Sequence, residues 1–244
     1  MTKTAIVTGA STGIGKGISQ LFLSKGINVL MNSADDNNLQ EAYNSLGKPQ
    51  NALTVAGDVS NPEARKKIVD KALSHFGRID ILINNAGVFQ PKPFLEVVDE
   101  DIERFYRINF KGTYFLTQLA LPHMISGGGG AVLNIGSVLV DQAVNGLPTT
   151  APISIKGAIH AFTRQLAAEF GKDNIRVNAI APGVIRTALQ GKMGVTDPDS
   201  GRNVSVLNRI GEPSHIAGVA HELATNEFIT GEIINVDGGH VAAR

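Results

Sequence analysis
The chain of 244 residues contains no cysteine, which excludes disulfides, thiol nucleophiles, cysteine-bound zinc and iron–sulfur clusters together. Its fold must rest on packing, and no metal site is expected. Excess charge of either sign is also missing: 22 Lys and Arg balance 22 Asp and Glu. Nucleic acid and anionic lipid are gripped by clustered cationic surplus, so neither is an expected partner. No run approaches the roughly 18 consecutive apolar residues of a membrane span. Lys3 leads directly into Thr4-Ala5-Ile6-Val7 without the apolar region of a signal peptide, so a cytoplasmic location is the expectation. Aromatic residues make up only 5%, yet the 43% hydrophobic share supports a sizeable core and excludes a disordered or collagen-like chain.

What is abundant is glycine. The 27 glycines fall in turn-like clusters with no fixed period, which points to sharp strand-to-helix connections rather than repeats. Short β-branched or aliphatic runs at Thr4–Thr8, Asn28–Met31, Ala52–Ala56, Ile79–Ile83, Ala131–Ile135, Ile175–Ile180 and Glu232–Val236 read as strands. Between them, Ile14–Ser24, Glu63–Phe76, Glu100–Ile125 and Ile153–Phe170 are patterned as helices. Asn61-Pro62-Glu63 supplies a cap, a first-turn proline and an early acid, while Gly77 and Gly171 are expected as helix stops. Near-continuous apolar strands suit a sheet covered on both sides. The expected fold is α/β: a Rossmann-like, doubly wound, parallel seven-stranded sheet with helices on both faces, forming one domain over residues 1–244.

Two stretches, Gly136–Thr150 and Ala188–Val206, resist regular assignment, and each follows an expected strand. Ligands of open α/β sheets sit beyond the carboxyl ends of strands, so substrate recognition is expected there. Lys192, Asp197, Asp199 and Arg202 in the second stretch hint at a polar substrate, with a solvated loop as the equal alternative. Thr8-Gly9-Ala10-Ser11-Thr12-Gly13-Ile14-Gly15 lies between the first strand and the first helix. Glycines there allow left-handed backbone and close ligand approach, and the helix start offers unpaired N–H groups to a pyrophosphate.

These residues resemble the short-chain dehydrogenase/reductase family, of the FabG-like 3-oxoacyl reductase type. Asn84-Asn85-Ala86-Gly87, Asn109, Asn134-Ile135-Gly136-Ser137, Lys156-Gly157-Ala158, Asn178 through Gly183, and Ile229 through Gly239 follow in the order the family shows. The resemblance implies that Gly9, Ser11, Thr12, Gly13, Ile14 and Gly15 hold the pyrophosphate and ribose of a dinucleotide. Asp58 and Val59 would meet the adenine, and Asn85, Ala86 and Gly87 the middle of the cofactor. Pro182, Gly183, Ile185 and Thr187 would flank the nicotinamide. Lys156 would bond the nicotinamide ribose, Ser137 would contact the substrate carbonyl oxygen, and Asn109 would be the active-site asparagine. Asp58 and Asn85 have the alternative of capping or tying loops.

One position departs from the family. Counting back from Lys156 by the Tyr-x-x-x-Lys spacing, the place of the catalytic tyrosine holds Pro152, and the chain's tyrosines are Tyr43, Tyr106 and Tyr114. The alkoxide formed by hydride delivery to a carbonyl needs a proton, so another donor must act. Lys156 is the expected donor or relay, with Ser154 or Asp141 ordering a water, while His160 is expected as a packed or interface residue. Pro152 suits a first helical turn, where the N–H it lacks has no partner anyway.

Cofactor choice leans toward NADP(H) over NAD(H), because Ser33 stands where NAD enzymes carry an acid for the ribose 2′-OH. Lys16 is placed to assist a 2′-phosphate, whereas Asp35 and Asp36 would repel one. The expected function is hydride transfer between nicotinamide and a small alcohol or carbonyl substrate with non-standard proton transfer. The alternative is a catalytically silent, cofactor-binding member acting as sensor or partner subunit. The resemblance further implies a homotetramer or homodimer joined through Phe228–Gly239.

Overall fold
The aliphatic runs become strands because both of their faces find apolar cover. In the computed structural model, which describes residues 2–192 and 196–242, the strands are β1 (Thr4–Thr8), β2 (Asn28–Ser33), β3 (Ala52–Ala56), β4 (Ile81–Asn84), β5 (Gly130–Ile135), β6 (Ile175–Pro182) and β7 (Ile233–Val236). The helices are α1 (Gly13–Ser24), α2 (Asp36–Ser45), α3 (Pro62–Phe76), α4 (Asp99–Phe105), α5 (Gly112–Ser126), α6 (Thr150–Phe170), α7 (Ala188–Lys192) and α8 (Pro213–Thr225). The strands form one sheet in the order β3-β2-β1-β4-β5-β6-β7, and every neighbouring pair is parallel.

Alternation along each strand divides the core in two. Ala5, Val7, Ile81, Ile83, Leu133 and Ile135 face α1, α2 and α8, where Ile18, Phe22, Leu39 and Ile216 meet them. Ile6, Leu30, Leu82, Val132 and Val177 face α3, α5 and α6, against Ile68, Val69, Leu116 and Leu166. Each fully buried aliphatic side chain contributes about 1.5–3 kcal/mol. A single hydrogen bond contributes about 1 kcal/mol net, so apolar burial holds the sheet together. Among the described residues, no helix is long and apolar enough to cross a membrane.

Three details differ from the sequence expectation. Glu100–Ile125 is not one regular helix: a π-helical stretch, Tyr106–Lys111, separates α4 from α5 and turns Asn109 into the interior. Gly77 stops α3 in the left-handed conformation (φ 77°) and Gly171 caps α6 as expected, but at φ −59°, so a 3₁₀ turn follows and the left-handed residue is Asn174 (φ 58°). The stretch Ala188–Val206 contains α7 and a 3₁₀ segment, Pro198–Val204, while its residues 193–195 lie outside the described residues.

Candidate active site
Strand order reverses at β1 and β4, and in such sheets the crevice opens beyond the carboxyl ends of the two strands. The glycine loop leaves β1 there, with Gly9 at φ +63° and Gly13 at φ +52°. A Cβ on Gly15 would run into the Gly9 carbonyl oxygen, and one on Gly13 would lie 2.9 Å from the Thr187 side chain. The loop is thus folded closely enough to form a cradle at the start of α1. Thr12, the N-cap, makes no side-chain bond to the first-turn amides of α1, so the cradle keeps its donors for an anion.

Asn85 holds this loop in place. Its side-chain amide donates to the carbonyls of Thr8 (2.9 Å) and Gly9 (3.1 Å), while the backbone N–H groups of Asn85 and Ala86 both donate to Thr8 Oγ1. The loop-tying alternative therefore describes the Asn85 amide. Farther along the crevice, the hydroxyls of Ser11 and Ser33 lie 3.0 Å apart. Asp58 is exposed and accepts the Ser60 N–H. Val59 is buried, and its carbonyl accepts a bond from Arg65. Lys16 lines a cleft with Gly13, Gln20, Arg186 and Pro213, and Ser33 is not among that cleft's residues.

A cavity of about 530 Å³ adjoins the cradle. It brings together Ile14 of the glycine loop, Asn85 and Gly87 after β4, Ser137 after β5 and Lys156 of α6. Pro182, Gly183, Ile185 and Thr187 join them from the end of β6. Ser137 Oγ accepts the Leu139 N–H at 3.2 Å, which leaves its own proton to donate into the cavity. Lys156 Nζ donates to the Ile135 carbonyl at 2.5 Å, so α6 grips the strand end that carries Ser137. The lysine side chain as a whole is partly buried, but its charge is poorly solvated, and desolvation lowers its pKa from 10.5 to about 8. That places a proton donor near neutral pH, where general acid catalysis is most effective.

Pro152 sits buried in the first turn of α6, where a missing N–H breaks no helical bond. No tyrosine lines the cavity. Tyr106 and Tyr114 stack with Phe110 and Phe162 on a partly exposed helical face, and Tyr43 packs beside the α1–α2 core. Ser154 and Asp141 are not among the cavity's lining residues either. His160 is packed, as expected: it lies 2% exposed behind the serine loop, where Nε2 accepts the Ser137 N–H at 3.4 Å. Its pKa is lowered first by burial and further by Arg164 and Lys156, against an opposing pull from Asp141. Asn109 does not reach the cavity. Its amide clamps the backbone N–H and C=O of Val88, both at 2.8 Å, and so fixes the chain that follows Asn85-Ala86-Gly87.

The rest of the wall is mainly apolar, with Val88, Phe89, Leu139, Val144, Leu147, Val184 and Leu189, joined by Gln190 and Ser200, and with no Asp or Glu among the described residues. The charged residues of the second irregular stretch that are described are not among the lining, which fits the solvated-loop alternative for them. Asp197 caps its own 3₁₀ segment, Asp199 pairs with Arg186, and Arg202 is exposed. The side chain of Lys192 is outside those described. Arg186 also pairs with Glu212, tying the Pro198–Val204 segment to the start of α8. Because the two ion pairs are solvent-exposed, Arg186→Ala is expected to leave thermal melting nearly unchanged. It is expected to raise the substrate KM several-fold, with wild-type KM drifting toward the mutant value as salt screens the pairs. Steady-state kinetics at 0.05 and 1 M salt check this. The sequence reading assigns no role to His240, which also lines the cavity; its position directly after Asp237-Gly238-Gly239 at the end of β7 was the available signal.

Residues 9–240 match the family model described as Enoyl-(Acyl carrier protein) reductase. The 3-oxoacyl-[acyl-carrier-protein] reductase FabG of Thermotoga maritima is 32% identical over 247 residues, with 98% of each chain covered. Dehydrogenase/reductase SDR family member 4 of Caenorhabditis elegans is 36% identical over 251 residues, covering 97% of this chain and 94% of that one. Among solved structures, 3-ketoacyl-(acyl-carrier-protein) reductase from Brucella melitensis complexed with NADH superposes with a TM-score of 0.91, at 29% identity and 98% coverage of each chain.

Proposed function
The chain belongs to the short-chain dehydrogenase/reductase family, and from that membership we propose that it is an NAD(P)(H)-dependent oxidoreductase acting on an alcohol or carbonyl compound, with Lys156 as its proton donor. The carrying observation is the shared cavity, in which Ser137 and Lys156 face the segments from Gly87 and from Pro182 to Thr187. The glycine cradle fits a dinucleotide, since a side chain on Gly15 would close it. Ser11, Thr12, Gly13 and Ile14 would hold the pyrophosphate, and Asp58 and Val59 the adenine.

When bound, the dinucleotide supplies or accepts the hydride at the substrate carbon. The protein's task is the oxygen. Ser137 donates a hydrogen bond to the carbonyl oxygen, which stabilises the charge that develops there as the carbon is reduced. Lys156, already bonded to the Ile135 carbonyl, has further N–H protons, and one of them passes to the forming alkoxide. In alcohol oxidation the neutral amine takes that proton back. Proximity and the Ser137 bond supply most of the acceleration, so catalysis survives without a phenol at Pro152.

Ser33 in place of an acid supports NADP(H) over NAD(H), and titrating both reduced forms by fluorescence measures that preference. Phe228, almost fully exposed, supports assembly through the Phe228–Gly239 segment into a homodimer or homotetramer. The function is tested by screening alcohols and carbonyls with both cofactors, beside Pro152→Tyr. Wild-type turnover is expected, and the variant is expected to raise it tenfold or more by adding a phenolic acid. Activity confined to the variant would instead favour a silent dinucleotide-binding role, which Pro152 itself suggests.

A further inference from the structure
Among the polar groups of the cavity that the chemistry above does not use is a buried imidazole. His240 is 7% exposed and lines the same cavity as Ser137 and Lys156. Its place is firmly set. Gly238 (φ +64°) and Gly239 (φ +89°) turn the chain back after β7, and the Asp237 carboxylate accepts the N–H groups of Gly239 and Val241 at 2.8 Å each. Ser205 Oγ and the Leu207 N–H bond the Gly238 carbonyl at 3.0 and 3.2 Å, which docks this turn on the substrate-side segment. The ring's polar contact is a long one, 3.4 Å from Nε2 to the Gln142 carbonyl. Three separate clamps thus hold an imidazole in a mainly apolar wall while its own hydrogen-bonding capacity is little used.

We infer that His240 is the specificity-determining residue of the cavity, hydrogen-bonding a second oxygen on a largely hydrocarbon substrate. This rests on the oxidoreductase reading for the position of the first oxygen, at Ser137 and Lys156. The aliphatic residues Val88, Leu139, Val144 and Val184 accept the carbon skeleton. In the long contact to the Gln142 carbonyl Nε2 is the donor, which leaves Nδ1 to accept a hydroxyl proton, while a ketone oxygen is bonded when the weakly held Nε2–H turns from Gln142 to the substrate. A cationic substrate group is excluded by the charge of Lys156 and the lack of Asp or Glu among the described lining residues. The preferred class is therefore an uncharged ketone or alcohol, mainly hydrocarbon, with a second oxygen remote from the reacting carbon.

Calorimetry with saturating dinucleotide tests this without requiring turnover. The probes are cyclohexanone, cyclohexane-1,4-dione, 4-hydroxycyclohexanone and a 4-trimethylammonio-cyclohexanone. Wild-type protein is expected to bind the two dioxygenated rings about tenfold more tightly than cyclohexanone, and the cationic ring least. In His240→Leu that preference should vanish while cyclohexanone affinity stays within about twofold, and His240→Asn should restore part of it. Equal wild-type affinity for all three uncharged rings overturns the inference even if both variants misfold, and so does an undiminished preference in His240→Leu. Selective binding with no turnover of any ring would overturn the oxidoreductase reading and leave the role of His240 supported.

Discussion
Lys156→Met is expected to reduce kcat for carbonyl reduction by about 10²- to 10⁴-fold, the range associated with losing general acid catalysis. Methionine keeps most of the side-chain volume, so the cavity wall survives while the proton donor and the bond to the Ile135 carbonyl are lost. Dinucleotide binding, followed by fluorescence, is expected to weaken far less than turnover. The pH profile is the more specific readout. With its pKa lowered to about 8, Lys156 is protonated below that pH, so reduction is expected to hold steady at lower pH and to fall above about 8. Oxidation of the alcohol, which needs the neutral amine, is expected to rise over the same interval. Unchanged turnover in Lys156→Met, with cofactor still bound, would remove the lysine from the chemistry.

The same substitution carries an opposite effect on stability. A lysine with its pKa lowered from 10.5 to about 8 is penalised in the folded state whenever it must be charged. The unfolded chain binds the proton more tightly, so the penalty is full below pH 8 and fades as pH rises from 8 to 10.5. Its upper limit is about 3 kcal/mol, reduced by the solvent access that the partly buried side chain keeps. Lys156→Met is therefore expected to melt at a higher temperature than wild type at pH 7, with the gap narrowing by pH 10. Lower activity with higher stability separates a working, strained charge from a merely structural one.

Gly15→Val has the second large effect. Even the first carbon of the new side chain meets the Gly9 carbonyl oxygen and lies 2.5 Å from the Asn85 amide nitrogen. Neither can yield cheaply: the carbonyl is backbone, and the Asn85 amide is held by its bonds to Thr8 and Gly9. The loop must open, which is expected to weaken dinucleotide affinity at least 100-fold, about 2.7 kcal/mol. Overpacking should also lower folding stability by about 1–3 kcal/mol. Fluorescence titration of reduced cofactor, with circular dichroism at the same temperature to confirm a folded chain, measures the first effect separately from the second. Full affinity in a folded Gly15→Val protein would contradict the cradle.

Much of this was legible before any coordinates. The seven strands were readable because a sheet covered on both faces demands continuous apolar runs, a property of neighbouring residues. The glycine loop stood out because it joins a strand end to a helix start, whereas Ser137 and Lys156 were legible through the motifs that resemble the family. The π turn at Asn109 was not legible. Its register answers to Val88, 21 residues away, whose N–H and C=O take up the asparagine amide. Nor could spacing show that Lys16 lines a cleft with Gln20, Arg186 and Pro213, or that the carboxylates of Asp197 and Asp199 serve a helical cap and Arg186.

By itself, then, the sequence determined the alternation of strands and helices and the glycine-rich turn between β1 and α1, because these depend on residue types at short separations along the chain, and its resemblance to the family marked Pro152 as the place of the absent phenol. The tertiary structure alone decided that the cavity wall is mainly apolar, that Lys156 loses enough water to lower its pKa to about 8, and that His240 joins it in lining the same cavity. Solvation and cavity shape are set by segments that meet only after the chain has folded, and no local pattern encodes which segments those will be.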